Sequence, residues 1–234
     1  IGRAMNFAVI VFPGSNCDHD CHHAVTTVLG QTTTFVWHKE KDLGGAEAVI
    51  IPGGFSYGDY LRAGAISRFS PIMKAVASQA AAGRPVIGIC NGFQILTESG
   101  LLPGALRRNA RLHFICDDVY VRCETARTPF SKDIALGETL RMPIAHGEGN
   151  YYCDQDTLSR LEDNDQIVFK YCTADGELSS RTNLNGSLEH IAGVCNLEGN
   201  VVGIMPHPER SCEMDMGSKD GLKLFTSALT AATS

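Results

Sequence analysis

Short apolar, β-branched runs alternate with helix-patterned stretches through the first hundred residues. Residues 7–12 read as a first strand, 18–29 as a helix, and 33–37 and 48–51 as two further strands. A helix follows over 71–82, with Pro71 at its start and Gly83, Arg84 and Pro85 closing it. The run 86–89 is a buried strand, and 93–98 opens the next helix. This alternation predicts an α/β fold: a doubly wound, mostly parallel sheet flanked by helices. Beyond Leu101 the rhythm loosens. Strands are expected over 114–123 and 140–144, and loops or a short helix over 154–165. Residues 191–195 and 201–205 bracket Glu198, Gly199 and Asn200, the pattern of a hairpin with glycine in its turn, so a small additional sheet or hairpin is expected. Residues 220–229 close the chain as a helix, with Leu222, Phe225 and Leu229 on one face.

Composition narrows the class. With 234 residues, 44% hydrophobic and 20% charged, the chain suits a soluble protein, and a single domain over 5–234 is expected. Ile1 to Ala4 precede Met5 and look like a leftover of an expression tag. No apolar run reaches the roughly 18 residues of a membrane span, and no signal peptide is recognisable, so the expected location is the cytoplasm, with no membrane partner. Nine cysteines without regular spacing suggest free thiols rather than a disulfide framework. A net charge of −6 argues against a nucleic-acid surface. Only Arg107, Arg108 and Arg111 cluster, as a solvated turn or a contact for an acidic partner.

The chemistry concentrates at Cys90. It stands on the corner between the strand ending at Ile89 and the helix beginning near Phe93, with Gly88 and Gly92 two residues to either side. A buried cysteine alone is most often a packing residue, but this setting is that of a nucleophile elbow with sulfur as the attacking atom. A thiol needs a base. His207, between Pro206 and Pro208, ends the second hairpin strand, and Glu209 can accept its far N–H, giving Cys-His-Glu logic. Taken alone, that stretch is equally a proline turn with an incidental histidine. Acyl transfer also needs oxyanion donors: the amide of Asn91 and that of Gly54, in the glycine-rich loop after the third strand, are the candidates. No GxxxxGK[ST] phosphate loop occurs, so ATP chemistry is not encoded. Cys17, Asp18, His19, Asp20, Cys21, His22 and His23 concentrate metal-capable side chains, but one helix cannot turn them all to one ion, and no metal site is expected.

Pro-Gly-Gly from Pro52, Gly-Ile-Cys-Asn-Gly-Phe-Gln from Gly88 and His-Pro-Glu from His207 resemble the class I (triad) glutamine amidotransferases, a flavodoxin-like fold. Phe-Pro-Gly-Ser-Asn-Cys-Asp from Phe12, Gly-Gly-Phe-Ser-Tyr-Gly-Asp-Tyr-Leu-Arg from Gly53, His-Gly-Glu-Gly from His146 and Asn-Gly-Ser-Leu from Asn185 are similar to the glutaminase subunits of phosphoribosylformylglycinamidine synthases. The resemblance implies L-glutamine hydrolysis through a thioester on Cys90, with His207 as base and Glu209 as its orienting carboxylate. It implies Gly54 and Asn91 as oxyanion positions and Gln94 as a glutamine contact. His146, Glu148, Asn185 and Ser187 are further candidates for the glutamine pocket, or else polar loop residues. It implies no cofactor on this chain, ATP and Mg on a synthetase subunit that aminates formylglycinamide ribonucleotide in purine biosynthesis, and a small bridging subunit. A glutaminase feeding another synthetase, or a stand-alone elbow-type cysteine hydrolase, is the alternative.

Overall fold

The structure is a computed structural model that describes residues 4–232; most of the expected tag leftover, residues 1–3, lies outside the described residues. Its frame is a nine-stranded sheet in the order β2-β1-β3-β4-β11-β10-β9-β6-β7. The first five are β2 (Thr32–Trp37), β1 (Asn6–Val11), β3 (Ala48–Ile51), β4 (Val86–Ile89) and β11 (Val201–Ile204), and they run parallel to one another. β1, β3, β4 and β11 are buried along their centres because elements cover both faces, which is why they read as unbroken apolar runs. β2 is the edge, and its Phe35 and Trp37 are exposed.

From β11 onward every pairing is antiparallel: β10 (Ile191–Cys195), β9 (Ile167–Cys172), β6 (Ile115–Cys123) and β7 (Thr139–His146). The expected α/β sheet is therefore mixed, half parallel and half antiparallel. The 191–204 hairpin is present within the large sheet. The additional small sheet pairs β5 (Ala105–Arg107) with β8 (Asn150–Tyr152), two short strands, antiparallel to each other, that the hydrophobic pattern does not announce.

The helices follow expectation with local differences. The stretch 18–29 is α1 (Asp18–His23) and then a wider π turn over Ala24–Val28, closed by Leu29 N–H on the Ala24 carbonyl at 3.0 Å. Helices α2 (Ile72–Ala81) and α3 (Asn91–Glu98) cover the parallel strands. The ambiguous polar stretch is a true helix, α4 (Gln155–Asp163), because Asp154 caps it by accepting the Thr157 N–H at 2.8 Å. The last helix, α5 (Leu222–Ala232), begins two residues late; Asp220 instead accepts the Arg141 N–H of β7 at 2.8 Å. No helix among the described residues is long and apolar enough to cross a membrane.

The carboxyl ends of β1, β3, β4 and β11 all point to one edge of the sheet. There the loops carrying Cys17, Gly54, Cys90 and His207 meet, where open parallel sheets place their sites.

Candidate active site

Cys90 joins β4 directly to α3 and adopts φ 49°, ψ −105°, a left-handed backbone that a residue with a Cβ adopts at a cost of order 1–3 kcal/mol. Its neighbours hold it there. The Cys90 N–H is bound to the Ile204 carbonyl at 2.8 Å, and its carbonyl accepts the Gln94 N–H at 3.1 Å. Helix α3 presses so close to β3 that a Cβ on Gly92 would stand 1.9 Å from the Ile51 carbonyl oxygen. The corner thus aims the thiol outward from a fixed backbone. Cys90 is 4% exposed and lines a cavity of about 260 Å³, with Sγ 3.8 Å from the Ala145 carbonyl.

His207 follows β11, and its N–H is tied to the Pro143 carbonyl of β7 at 2.9 Å. Its Nδ1 meets Glu209 Oε1 at 2.6 Å, with both side chains buried. Burial works against a charged ring, but the Glu209 carboxylate and the Cys90 sulfur, with hydrogen-bonding contacts to the Cys17 and Cys90 thiols, outweigh it and raise the imidazole well above its ordinary value. Nε2 has no aligned hydrogen bond, which leaves it available to a proton in transit. Cys90, His207 and Glu209 are therefore brought together from two adjacent parallel strands.

Gly54 has φ 141°, a conformation suited to glycine, and its loop bridges to Ser15 after β1. Asn91 is the first residue of α3, where a backbone N–H has no partner within the helix. Its side chain is occupied: Oδ1 accepts the Ser56 N–H at 3.1 Å, and Nδ2 donates to Gln94 Oε1 at 2.8 Å. Gln94 lines the cavity and donates from Nε2 to the Glu148 carbonyl at 2.6 Å. The Cys90 cavity is closed on its far side by the end of β7, through Ala145, His146, Gly147 and Glu148. Burial, then His207, lowers His146 to about 4, so it adds no second positive charge beside His207 near neutral pH.

A family model for the CobB/CobQ-like glutamine amidotransferase domain matches residues 4–227. The chain belongs to this amidotransferase family. It is 57% identical to phosphoribosylformylglycinamidine synthase subunit PurQ of Thermomicrobium roseum over 226 residues, 97% of this chain and 96% of that protein. It is likewise 57% identical to the subunit PurQ of Synechocystis, over 95% of this chain and 99% of that one. The solved structure of PurLQS from Thermotoga maritima contains a chain 43% identical, with a TM-score of 0.87, covering 98% of this chain and 100% of that chain.

In this amidotransferase Gly54, Cys90, Gln94, His146 and Glu148 line the cavity, whereas Asn91, His207 and Glu209 are not among its lining residues and two of the expected glutamine contacts stand away from it. Asn185 donates to the Gly149 carbonyl at 2.8 Å, while Ser187 bonds the Gly149 carbonyl at 3.2 Å and the Tyr151 N–H at 3.0 Å. They brace the backbone behind Glu148 rather than line the pocket. Conversely, Arg108, Leu112, His113 and Phe114 line the cavity although no motif marks them for it, and so does Asp59, which the motif from Gly53 contains without marking a role for it. The arginine trio is exposed, as a solvated turn would be, while Arg108 also lines the cavity 3.8 Å from Glu148 and the Arg107 guanidinium stacks 3.7 Å over the Tyr152 ring. The residues 17–23 disperse. His19 and His22 pack on Phe35, His23 pairs with Glu213 at 2.6 Å, and Cys21 is buried. Only Cys17 reaches the site, its Sγ within 4.8 Å of donor atoms of His207 and Glu209, which are already bonded to each other. All nine cysteines are free.

Proposed function

We propose that this chain is a glutaminase subunit of phosphoribosylformylglycinamidine synthase, acting in purine biosynthesis as a single domain over residues 5–234. The observation that carries the chemistry is a strained cysteine that lines a cavity and interacts with a buried histidine–carboxylate pair. His207 takes the proton of Cys90, and the thiolate attacks the carboxamide carbon of L-glutamine. The N–H groups of Gly54 and Asn91 receive the oxyanion. As the C–N bond breaks, His207 returns the proton to the leaving nitrogen, releasing ammonia and leaving a γ-glutamyl thioester. Water, deprotonated by His207, then cleaves the thioester to glutamate and restores the thiol. Glu209 holds the Nδ1 proton throughout. Gln94, and less directly His146 and Glu148, shape the glutamine pocket.

The ammonia passes to a separate synthetase subunit that converts formylglycinamide ribonucleotide with ATP and Mg, neither of which this chain needs for its own step. A small bridging subunit completes the assembly in the cytoplasm, a reading supported by the high likeness to a chain of the Thermotoga maritima PurLQS structure. The test is glutamate release from glutamine by the chain mixed with its synthetase partners. Cys90→Ala is expected to lower it by at least roughly 10³-fold while the fold survives. Equal activity in the two proteins would overturn the mechanism.

A further inference from the structure

The metal-capable segment after β1 leaves one residue unexplained. Cys17 is 2% exposed, and its main chain is pinned: its N–H donates to the Gly53 carbonyl at 3.3 Å, and its carbonyl accepts the Cys21 N–H at 3.0 Å. Its sulfur therefore has a fixed address. Arg210 Nη2 donates to Sγ at 3.2 Å while the same guanidinium holds Asp20 at 2.9 Å, and the thiol leans on Asn16 Oδ1 at 3.2 Å. Gly53 shows how tightly this corner is filled. A Cβ there would lie 2.7 Å from His207 Cε1 and 3.0 Å from Cys17 Sγ, so ring and sulfur close over a bare glycine backbone.

His207 has one firm hydrogen bond, on Nδ1, and both its Nε2 and Glu209 Oε2 lack an aligned partner. One bond fixes a ring atom but not the ring's rotation about it. We propose that Cys17 is a positioning residue for His207, its sulfur packed between Gly53 and Arg210 so that the imidazole stays on Glu209 with Nε2 turned toward Cys90. This inference rests on the assignment of His207 as the base for Cys90.

The electrostatics agree with that role. Burial, above all, raises the Cys17 thiol, and Glu209 adds to the effect against the opposing pull of His207 and Arg210, so Cys17 stays a neutral thiol. Its contact with His207 favours the imidazolium. The other titratable groups around the ring are Glu209 and Arg210 on its own turn, Cys90 at the elbow, His146 on β7, and Asp20 and Cys21 on α1.

The experiment measures the iodoacetamide alkylation rate of Cys90 against pH in the full chain, resolved by peptide mapping, with exposed Cys116 as an internal reference. Cys17→Ala is expected to move the acid limb of the Cys90 profile to higher pH, so that alkylation at a fixed pH on that limb slows by up to about tenfold. Cys17→Ser, which keeps an acceptor atom in the same place, is expected to stay close to wild type. Should Cys17→Ala fail to fold, Cys17→Val, which fills the space without an acceptor atom, takes its place. A Cys17→Ala or Cys17→Val profile superimposable on wild type overturns the inference. His207→Ala separates the two readings: if it shifts the profile and Cys17→Ala does not, only the role of Cys17 falls. If His207→Ala also leaves the profile unchanged, the assignment of His207 falls with it.

Discussion

The two halves of the large sheet build the two walls of the Cys90 cavity by different means. On the parallel side the backbone does the positioning: a left-handed Cys90, a Gly54 at φ 141° and a Gly92 packed against the Ile51 carbonyl leave no latitude. On the antiparallel side the wall at 145–148 is held by side chains bonded to main chain. Asn109 Nδ2 donates to the carbonyls of His113 and His146, both at 2.9 Å, and its Oδ1 accepts the Gly149 N–H at 3.0 Å. Asn185 and Ser187 brace the next turn in the same way. Steric fixation suits the reacting atoms, which tolerate little displacement. Hydrogen-bonded bracing suits a wall that only has to border the cavity.

The sharpest way to break the first wall is Gly92→Ala. Its methyl must displace β3 from α3, because the atom it meets is backbone and no rotamer change relieves a 1.9 Å contact. A loss of about 3 kcal/mol or more is expected, lowering Tm by roughly 6–12 °C in thermal unfolding, together with slower Cys90 alkylation as the elbow shifts. An unchanged Tm would show that the backbone here yields easily, and the contrast between the walls would collapse.

The same contrast governs how much the sequence reveals. β1, β3, β4 and β11 are covered on both faces, so their apolar runs stand out, and the elbow and its glycines follow from strand, corner and helix in succession. β7 and the second half of β6, from Val119, alternate in burial and are visible for that reason. β9 is equally apolar, yet it follows directly on a polar stretch that reads as loop, which hides it. Asn109 is fully buried but sits in Arg107, Arg108, Asn109, Ala110, Arg111, a run that looks solvated. Its importance arises only when the chain folds back to bring 146–149 against it, and no local period encodes that. The meeting of Cys17 with His207, 190 positions on, is of the same kind.

The second wall should give way at Asn109→Ala, with a smaller cost. The His146 carbonyl and Gly149 N–H lose partners in a buried place, for an expected loss of about 2 kcal/mol, less where water enters. If this wall shapes substrate binding rather than chemistry, KM for glutamine rises several-fold while kcat changes less, as steady-state kinetics would show. A fall in kcat with KM unmoved would place the wall on the chemical step instead.

The seam between the walls offers the smallest effect. Asp59, from the loop after β3, lines the cavity with Glu148 from the loop after β7, and burial, then the Glu148 charge, raises its carboxyl to about 6. An unfolded aspartate titrates near 3.9, so between these values the folded chain holds a proton that the unfolded chain releases, and stability falls as pH rises through this window. Above about pH 6 the penalty is constant; below about pH 4 it is absent. Asp59→Asn removes the charge and suits the left-handed backbone at φ 53°. Partial exposure screens the repulsion, so the gain is about 1 kcal/mol, a Tm roughly 2–4 °C above wild type near pH 8 and a coincident Tm near pH 4. A difference that does not vary with pH would mean that the two walls meet without electrostatic strain, and that Asp59 is held by its hydrogen bond from Asn91 Nδ2 at 3.4 Å alone.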